Sequence, residues 1–181
     1  MTDLIGFSRE DAGQPPSLAP AYGSTVPRSP RQPLVRIPPT LTELTGIYLP
    51  SMSKARHGVV LNVASTASFQ PTPGMAVYGA TKAYVLSFTE ALWKETKGSG
   101  IRVLALCPGA TDTEFFARTG EEFLTSGRQT SKQVVDVAMA ALDKSTPTVV
   151  SGLANTLLAT GYRFTPRRVM LEVSQRLLKA N

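Results

Sequence analysis

A chain of 181 residues, 42% hydrophobic and 18% charged, reads as one soluble globular domain with a real core, and no apolar run approaches the ~20 residues of a bilayer span. The net charge of +6 is scattered and comes with no recognition motif, so nucleic acid is not an expected partner. A single cysteine, Cys107, excludes an internal disulfide and a cysteine-based zinc site, the lone His57 has no companion ligands, and a reducing, cytoplasmic setting is expected.

The chain opens with a different composition from the rest. Eight of its 14 prolines lie before residue 40: Pro15, Pro16, Pro20, Pro27, Pro30, Pro33, Pro38 and Pro39. Proline removes backbone donors and turns its predecessor away from helix. No apolar period of either kind runs through this stretch, so residues 1–39 are expected to be a disordered Pro-rich segment. The opening "MTDLIGFSRED" also lacks the basic-then-apolar pattern of a secretory leader.

From residue 40 the pattern turns regular, and residues 40–181 are expected to form the folded unit. Leu41, Leu44, Tyr48 and Met52 fall at helical spacing, with Thr40 as the predicted N-cap and Glu43 completing a capping box. "GVVLNVAS" predicts a buried strand over Val59–Val63. A long helix, Ala76–Lys97, should end at Gly98. "IRVLALCPG" predicts a second buried strand over Ile101–Leu106, stopped by Pro108-Gly109. "TSKQVVDVAMAALDK" predicts an amphipathic helix capped by Thr130 or Ser131, and "TPTVVSG" a third short strand. Two basic helical stretches follow, near Leu153–Thr160 and Pro166–Lys179. Strands that alternate with helices, each a continuous apolar run, predict an α/β fold with a parallel sheet covered on both faces. Ligands of such sheets sit beyond the carboxyl ends of the strands, where Ser65 and Pro108-Gly109 stand.

One pair of residues at that end carries chemistry. Tyr78 and Lys82 are separated by four positions and share a helix face. A free phenol, with pKa ~10, handles protons poorly at neutral pH, and a nearby ammonium stabilises its anion. Such a pair can give and take a proton, while the Ser65 hydroxyl could hold a carbonyl or alcohol oxygen within reach. Each element alone has an ordinary reading: a solvated lysine beside a half-buried tyrosine, a strand-end serine bonded to a turn, a Pro-Gly turn. Their order and spacing together raise the signal.

Residues 40–115 resemble the second half of a short-chain dehydrogenase/reductase. "VVLNVAST" resembles the family's Asn-x-x-Ser strand end, Ser65 stands 13 residues before Tyr78, "YGATK" matches Tyr-x-x-x-Lys, and "CPGATDT" matches Pro-Gly-x-x-x-Thr. The resemblance implies a partial Rossmann-like, doubly wound sheet and an NAD(P)-dependent oxidoreductase of small-molecule carbonyl or alcohol substrates. It implies that Tyr78 is the general acid/base and that Lys82 lowers its pKa and bonds the nicotinamide ribose. Ser65 would orient the substrate oxygen. Pro108, Gly109, Thr111 and Thr113 would line the nicotinamide end of NAD or NADP, and Glu114–Gly127 would cover the substrate. Helices 40–52 and 76–97 would form the family's homo-oligomer face.

The family's glycine-rich cofactor loop has no counterpart, because Gly6, Gly13 and Gly23 are too far apart. Its Asn-Asn-Ala-Gly segment is absent too. The alternative to an enzyme is therefore a catalytically silent remnant that pairs with another chain. At the C-terminus, Arg167, Arg168, Arg176 and Lys179 accompany Val169, Val173, Leu177 and Leu178. A helix docked on the core is the favoured expectation there, with contact to an anionic membrane surface as the alternative.

Overall fold

The computed structural model describes residues 33–112 and 128–179. Helix α1 spans Pro33–Ala55, strand β1 Gly58–Val63, a 3-10 turn Thr66–Phe69, helix α2 Ala76–Glu95 and strand β2 Ile101–Cys107. Two-residue strands β3 (Thr111–Asp112) and β4 (Gln129–Thr130) precede helix α3 (Ser131–Asp143), strand β5 (Thr148–Val150), helix α4 (Leu153–Tyr162) and helix α5 (Arg167–Lys179).

The expected parallel sheet is present in the order β1-β2-β5, with β1 and β2 in register from Gly58 opposite Ile101 to Val63 opposite Leu106. Strand β2 is almost wholly buried because helices cover both its faces. On one side Ala105 and Cys107 pack with Val85 and Leu86 of α2, and Ile101 and Val103 with Leu92. On the other, Leu104 meets Ala141 and Leu142 of α3, and Leu106 meets Val134 and Ala138. Thr130 caps α3 as expected: its hydroxyl accepts from the Gln133 N–H, and the Gln133 side chain accepts from the Thr130 N–H.

Strand β1 departs from the buried run predicted for it. Val60 packs inward, but Val59, Leu61 and Val63 remain 38, 36 and 49% exposed. Among the described residues β1 is the sheet edge, and no helix covers its second face. A groove of about 690 Å3 lies between α1 and β1, lined by Ile37, Leu41, Leu44, Tyr48, Val59 and Leu61 among others.

Three further expectations need correction. Helix α1 begins at Pro33, so Thr40 lies inside the helix and caps nothing, and Pro38, Pro39 and Pro50 are all helical. The cause is tertiary packing: Ile37 and Leu41 sit against the cluster of Ala64, Val85, Leu86, Ala105 and Cys107, which extends the helix upstream of its prolines. The Pro38 carbonyl accepts from the Thr42 hydroxyl at 2.8 Å. Helix α2 stops at Glu95, where the Thr96 hydroxyl donates to the Leu92 carbonyl at 2.8 Å and the chain turns through Gly98 at φ +85°. Helix α4 is not basic, since "LANTLLATGY" carries no charge. Of residues 1–39, expected to be disordered, 33–39 are helical and 1–32 lie outside the described residues.

Candidate active site

The ladder between β1 and β2 runs on past the strands and fixes the site. The Ala64 N–H donates to the Leu106 carbonyl at 2.8 Å, and the Thr66 N–H to the Pro108 carbonyl at 2.9 Å. Ser65 is thereby held beside the Pro108-Gly109 turn, 8% exposed. Its hydroxyl caps the 3-10 turn, accepting from the Ala67 N–H at 3.1 Å, as a strand-end serine ordinarily does. A hydroxyl that accepts in this way still has its own proton to donate. Ser68 completes the arrangement: its Oγ accepts from the Ser65 N–H at 3.3 Å and donates to the Lys82 carbonyl at 2.8 Å. Ser65 and the lysine's helix are thus tied by one intermediate side chain. Ser68 was not anticipated, although Ser-x-x-Ser is a capping-box spacing that could have revealed it.

Tyr78 and Lys82 project from the face of α2 that also carries the buried Val85, Thr89 and Leu92. The Lys82 Nζ donates to the Val63 carbonyl at 2.8 Å, two residues before Ser65, and lies 5.8 Å from the centre of the Tyr78 ring. Both side chains are half-buried. Desolvation holds the Lys82 ammonium below the ordinary lysine range, opposed by attraction to Cys107. Cys107 is fully buried, and burial pushes its thiol from 9.0 up to about 12. At neutral pH the thiol is therefore uncharged and desolvation alone acts on the lysine. One of three ammonium protons goes to Val63, which leaves two for a ligand.

The second strand end supplies the Pro108-Gly109 turn. The Thr111 hydroxyl donates to the Gly109 carbonyl at 3.1 Å, and the Gln129 N–H to the Ala110 carbonyl at 3.0 Å. Asn155 of α4, also not anticipated, braces the turn from below. Its amide donates to the Ser151 carbonyl at 2.7 Å and lies where a Gly109 side chain would stand: a Cβ there would be 2.7 Å from Asn155 Cγ and 2.8 Å from Oδ1. The structure thus brings Ser65, Tyr78, Lys82, Pro108, Gly109 and Thr111 to the carboxyl end of the sheet. Thr113 and the whole of the predicted cover, Glu114–Gly127, lie outside the described residues.

A half-desolvated ammonium with two protons left to donate suits the hydroxyls of a nicotinamide riboside, whereas the close approach that Gly109 permits is taken by Asn155. For the pyrophosphate and adenosine no described strand–helix turn offers a glycine-rich cradle of N–H groups, in line with the absence of such a loop from the sequence.

The short chain dehydrogenase family profile matches residues 40–123. A second profile, the N-terminal segment of the protocatechuate 3,4-dioxygenase beta subunit, matches residues 7–40. An uncharacterized oxidoreductase of Staphylococcus epidermidis is 35% identical over 94 residues, which is 52% of this chain and 40% of that protein. A sulfoacetaldehyde reductase of Chromohalobacter salexigens is 42% identical over 82 residues, 44% of this chain and 32% of that one. A short-chain dehydrogenase from Sphingobium yanoikuyae, solved in complex with NADPH, superposes with a TM-score of 0.62 at 30% identity, over 72% of this chain and 53% of that chain. The chain spans between about a third and just over half of the length of these relatives.

Proposed function

We propose, from the match of residues 40–123 to the short chain dehydrogenase family, that the chain is an NAD(P)-dependent oxidoreductase of a small-molecule carbonyl or alcohol. Tyr78 is the general acid/base, Lys82 its electrostatic partner, and Ser65 the group that holds the substrate oxygen. The observation that carries this reading is the Lys82 ammonium, anchored to the Val63 carbonyl and set 5.8 Å from the Tyr78 ring, at the strand end that leads into Ser65. In the reducing direction the free Ser65 O–H donates to the carbonyl oxygen and polarises it. The Tyr78 phenol passes its proton to that oxygen as negative charge develops, and the adjacent cation stabilises the phenolate left behind. In the oxidising direction the phenolate recovers the proton from the alcohol. Bound NAD or NADP supplies or receives the hydride. Lys82, Pro108, Gly109, Thr111 and Thr113 would hold its nicotinamide end.

The test is oxidation of NADH and NADPH at millimolar concentration with a panel of aldehydes and ketones, alongside their fluorescence on binding. Turnover should fall by about 10²-fold or more in Tyr78→Phe, with nucleotide binding retained.

The open edge of β1 favours a second reading, a silent partner for another chain. Val59, Leu61 and Val63 are exposed on that strand, and Leu44, Ile47 and Tyr48 on α1 are 49, 66 and 57% exposed. An apolar edge of this kind invites pairing. Self-association through helices 40–52 and 76–97, with no nucleotide response at millimolar concentration, would select this reading over the enzyme.

A further inference from the structure

Helix α4 is built inside out. Its inward positions are small or polar: Ala159 is 5% exposed, and Asn155 and Tyr162 are half-buried. Its outward positions are leucines: Leu153, Leu157 and Leu158 are 79, 66 and 53% exposed, and the helix carries no charge. A surface helix of a water-bathed domain normally shows the reverse. Further apolar residues are exposed past the helix. Phe164, in the turn to α5, is 83% exposed, and Val169 and Val173 on one face of α5 are 51 and 40% exposed, while Met170 and Ser174 take the inward positions and Leu171 lines a separate pocket beside Pro71 and Ala76.

The charge around this surface is one-sided. Between residues 153 and 179 there are five bases, Arg163, Arg167, Arg168, Arg176 and Lys179, against the single acid Glu172. Among the described residues Arg163, Arg167, Arg168 and Arg176 form no ion pair. No described helix is long and apolar enough to cross a membrane. Leucine, phenylalanine and valine rimmed by unpaired arginines match the layered chemistry of an anionic bilayer, where acyl chains lie beneath negatively charged headgroups. A neutral protein partner would leave the arginines without counter-charges.

We propose that α4, the Phe164 turn and α5 form a peripheral docking surface for an anionic lipid bilayer. The leucines and Phe164 enter the headgroup–acyl boundary, and the arginines bind the headgroups. Helix α4 is entered at Gly152, two residues after β5, at the sheet end that carries Ser65 and Pro108. The surface does not depend on the proposed activity, since none of its residues is assigned to proton transfer.

The test is co-sedimentation of the full chain with vesicles of phosphatidylcholine alone and of phosphatidylcholine mixed with phosphatidylserine. Binding should be at least about tenfold stronger on the anionic vesicles and weaken as salt is raised. The pair Leu157→Glu with Phe164→Glu, and separately Arg167→Ser with Arg168→Ser, should each reduce it about tenfold. All four positions are exposed, so circular dichroism should be unchanged in both variants. Equal binding to both vesicle types, no binding to either, or binding indifferent to both pairs overturns the proposal. So does concentration-dependent self-association that Leu157→Glu abolishes in a chain that ignores vesicles, which would assign the leucine face to a second copy.

Discussion

Gly109→Ala isolates the brace beneath the Pro108-Gly109 turn. Gly109 is not among the glycines at positive φ, so the new residue meets no backbone penalty and the effect is steric. The added Cβ would stand 2.7 Å from Asn155 Cγ and 2.8 Å from Oδ1, with Nδ2 also in contact, nearer than real Cβ atoms approach. Asn155 cannot simply swing aside, because its amide donates to the Ser151 carbonyl at 2.7 Å. Overpacking of this kind costs about 1–3 kcal/mol, and loss of the hydrogen bond about 0.5–1.5 kcal/mol more. Gly109→Ala should therefore destabilise by about 2–3 kcal/mol. Asn155→Ala alone should cost about 1 kcal/mol, from the lost bond. In the double variant the new methyl occupies the space the amide has left, so the two costs should fall short of additive by about 1–2 kcal/mol. Urea unfolding followed by the single Trp93 reports all four stabilities. A cost below about 0.5 kcal/mol for Gly109→Ala, or strict additivity, would refute the brace.

Other outcomes follow from the same contacts. The native Cys107 thiol, fully buried and pushed up to about 12, should resist disulfide reagents at pH 8 and react only once the chain is unfolded. Because its folded value is raised, its contribution is fully present below pH 9.0 and is lost as pH rises toward about 12, a difference of about 4 kcal/mol between those limits. Cys107→Ala should flatten that alkaline loss in unfolding titrations. Lys82 acts in the opposite sense. Its folded value is depressed, so the unfolded chain binds the extra proton, and stability should rise as pH climbs from the folded value toward 10.5. Thermal melts of Lys82→Met should lack that rise. Gly100→Ala should fail to fold at 37 °C or melt far below wild type, because its Cβ would meet the Arg56 backbone at a residue held at φ +85°.

The elements that sequence located well are those whose signal is local and doubly enforced. Strand β2 is apolar because both faces are covered, and Thr130 sits where a cap and a following Gln133 both demand it. Tyr78, Lys82 and Ser65 could be placed at one end of the sheet because spacing along one chain sets which helix face and which strand end they occupy. The misplaced start of α1 has the opposite origin. Proline composition argued against helix there, and the packing of Ile37 and Leu41 on distant residues outweighed it. Asn155 was invisible for the same reason, since it meets Gly109 from 46 positions away in the sequence. The break in composition near residue 40 coincides with the point where the two family matches meet, at residues 7–40 and 40–123. Strand β1 reads as buried because its residues suit a sheet interior, yet among the described residues nothing covers its outer face.

In the proposed function, Lys82 and the Pro108-Gly109 turn recognise the nicotinamide end of a cofactor beside Tyr78, with no pyrophosphate cradle among the described residues. Titrating the chain with reduced nicotinamide mononucleotide and with NADPH, read by nucleotide fluorescence, tests it directly. The mononucleotide should bind within about threefold of the dinucleotide, since cradle contacts contribute little, and Lys82→Met should weaken both by about tenfold or more. Absence of binding by either nucleotide, or binding of both that is unchanged in Lys82→Met, would contradict it.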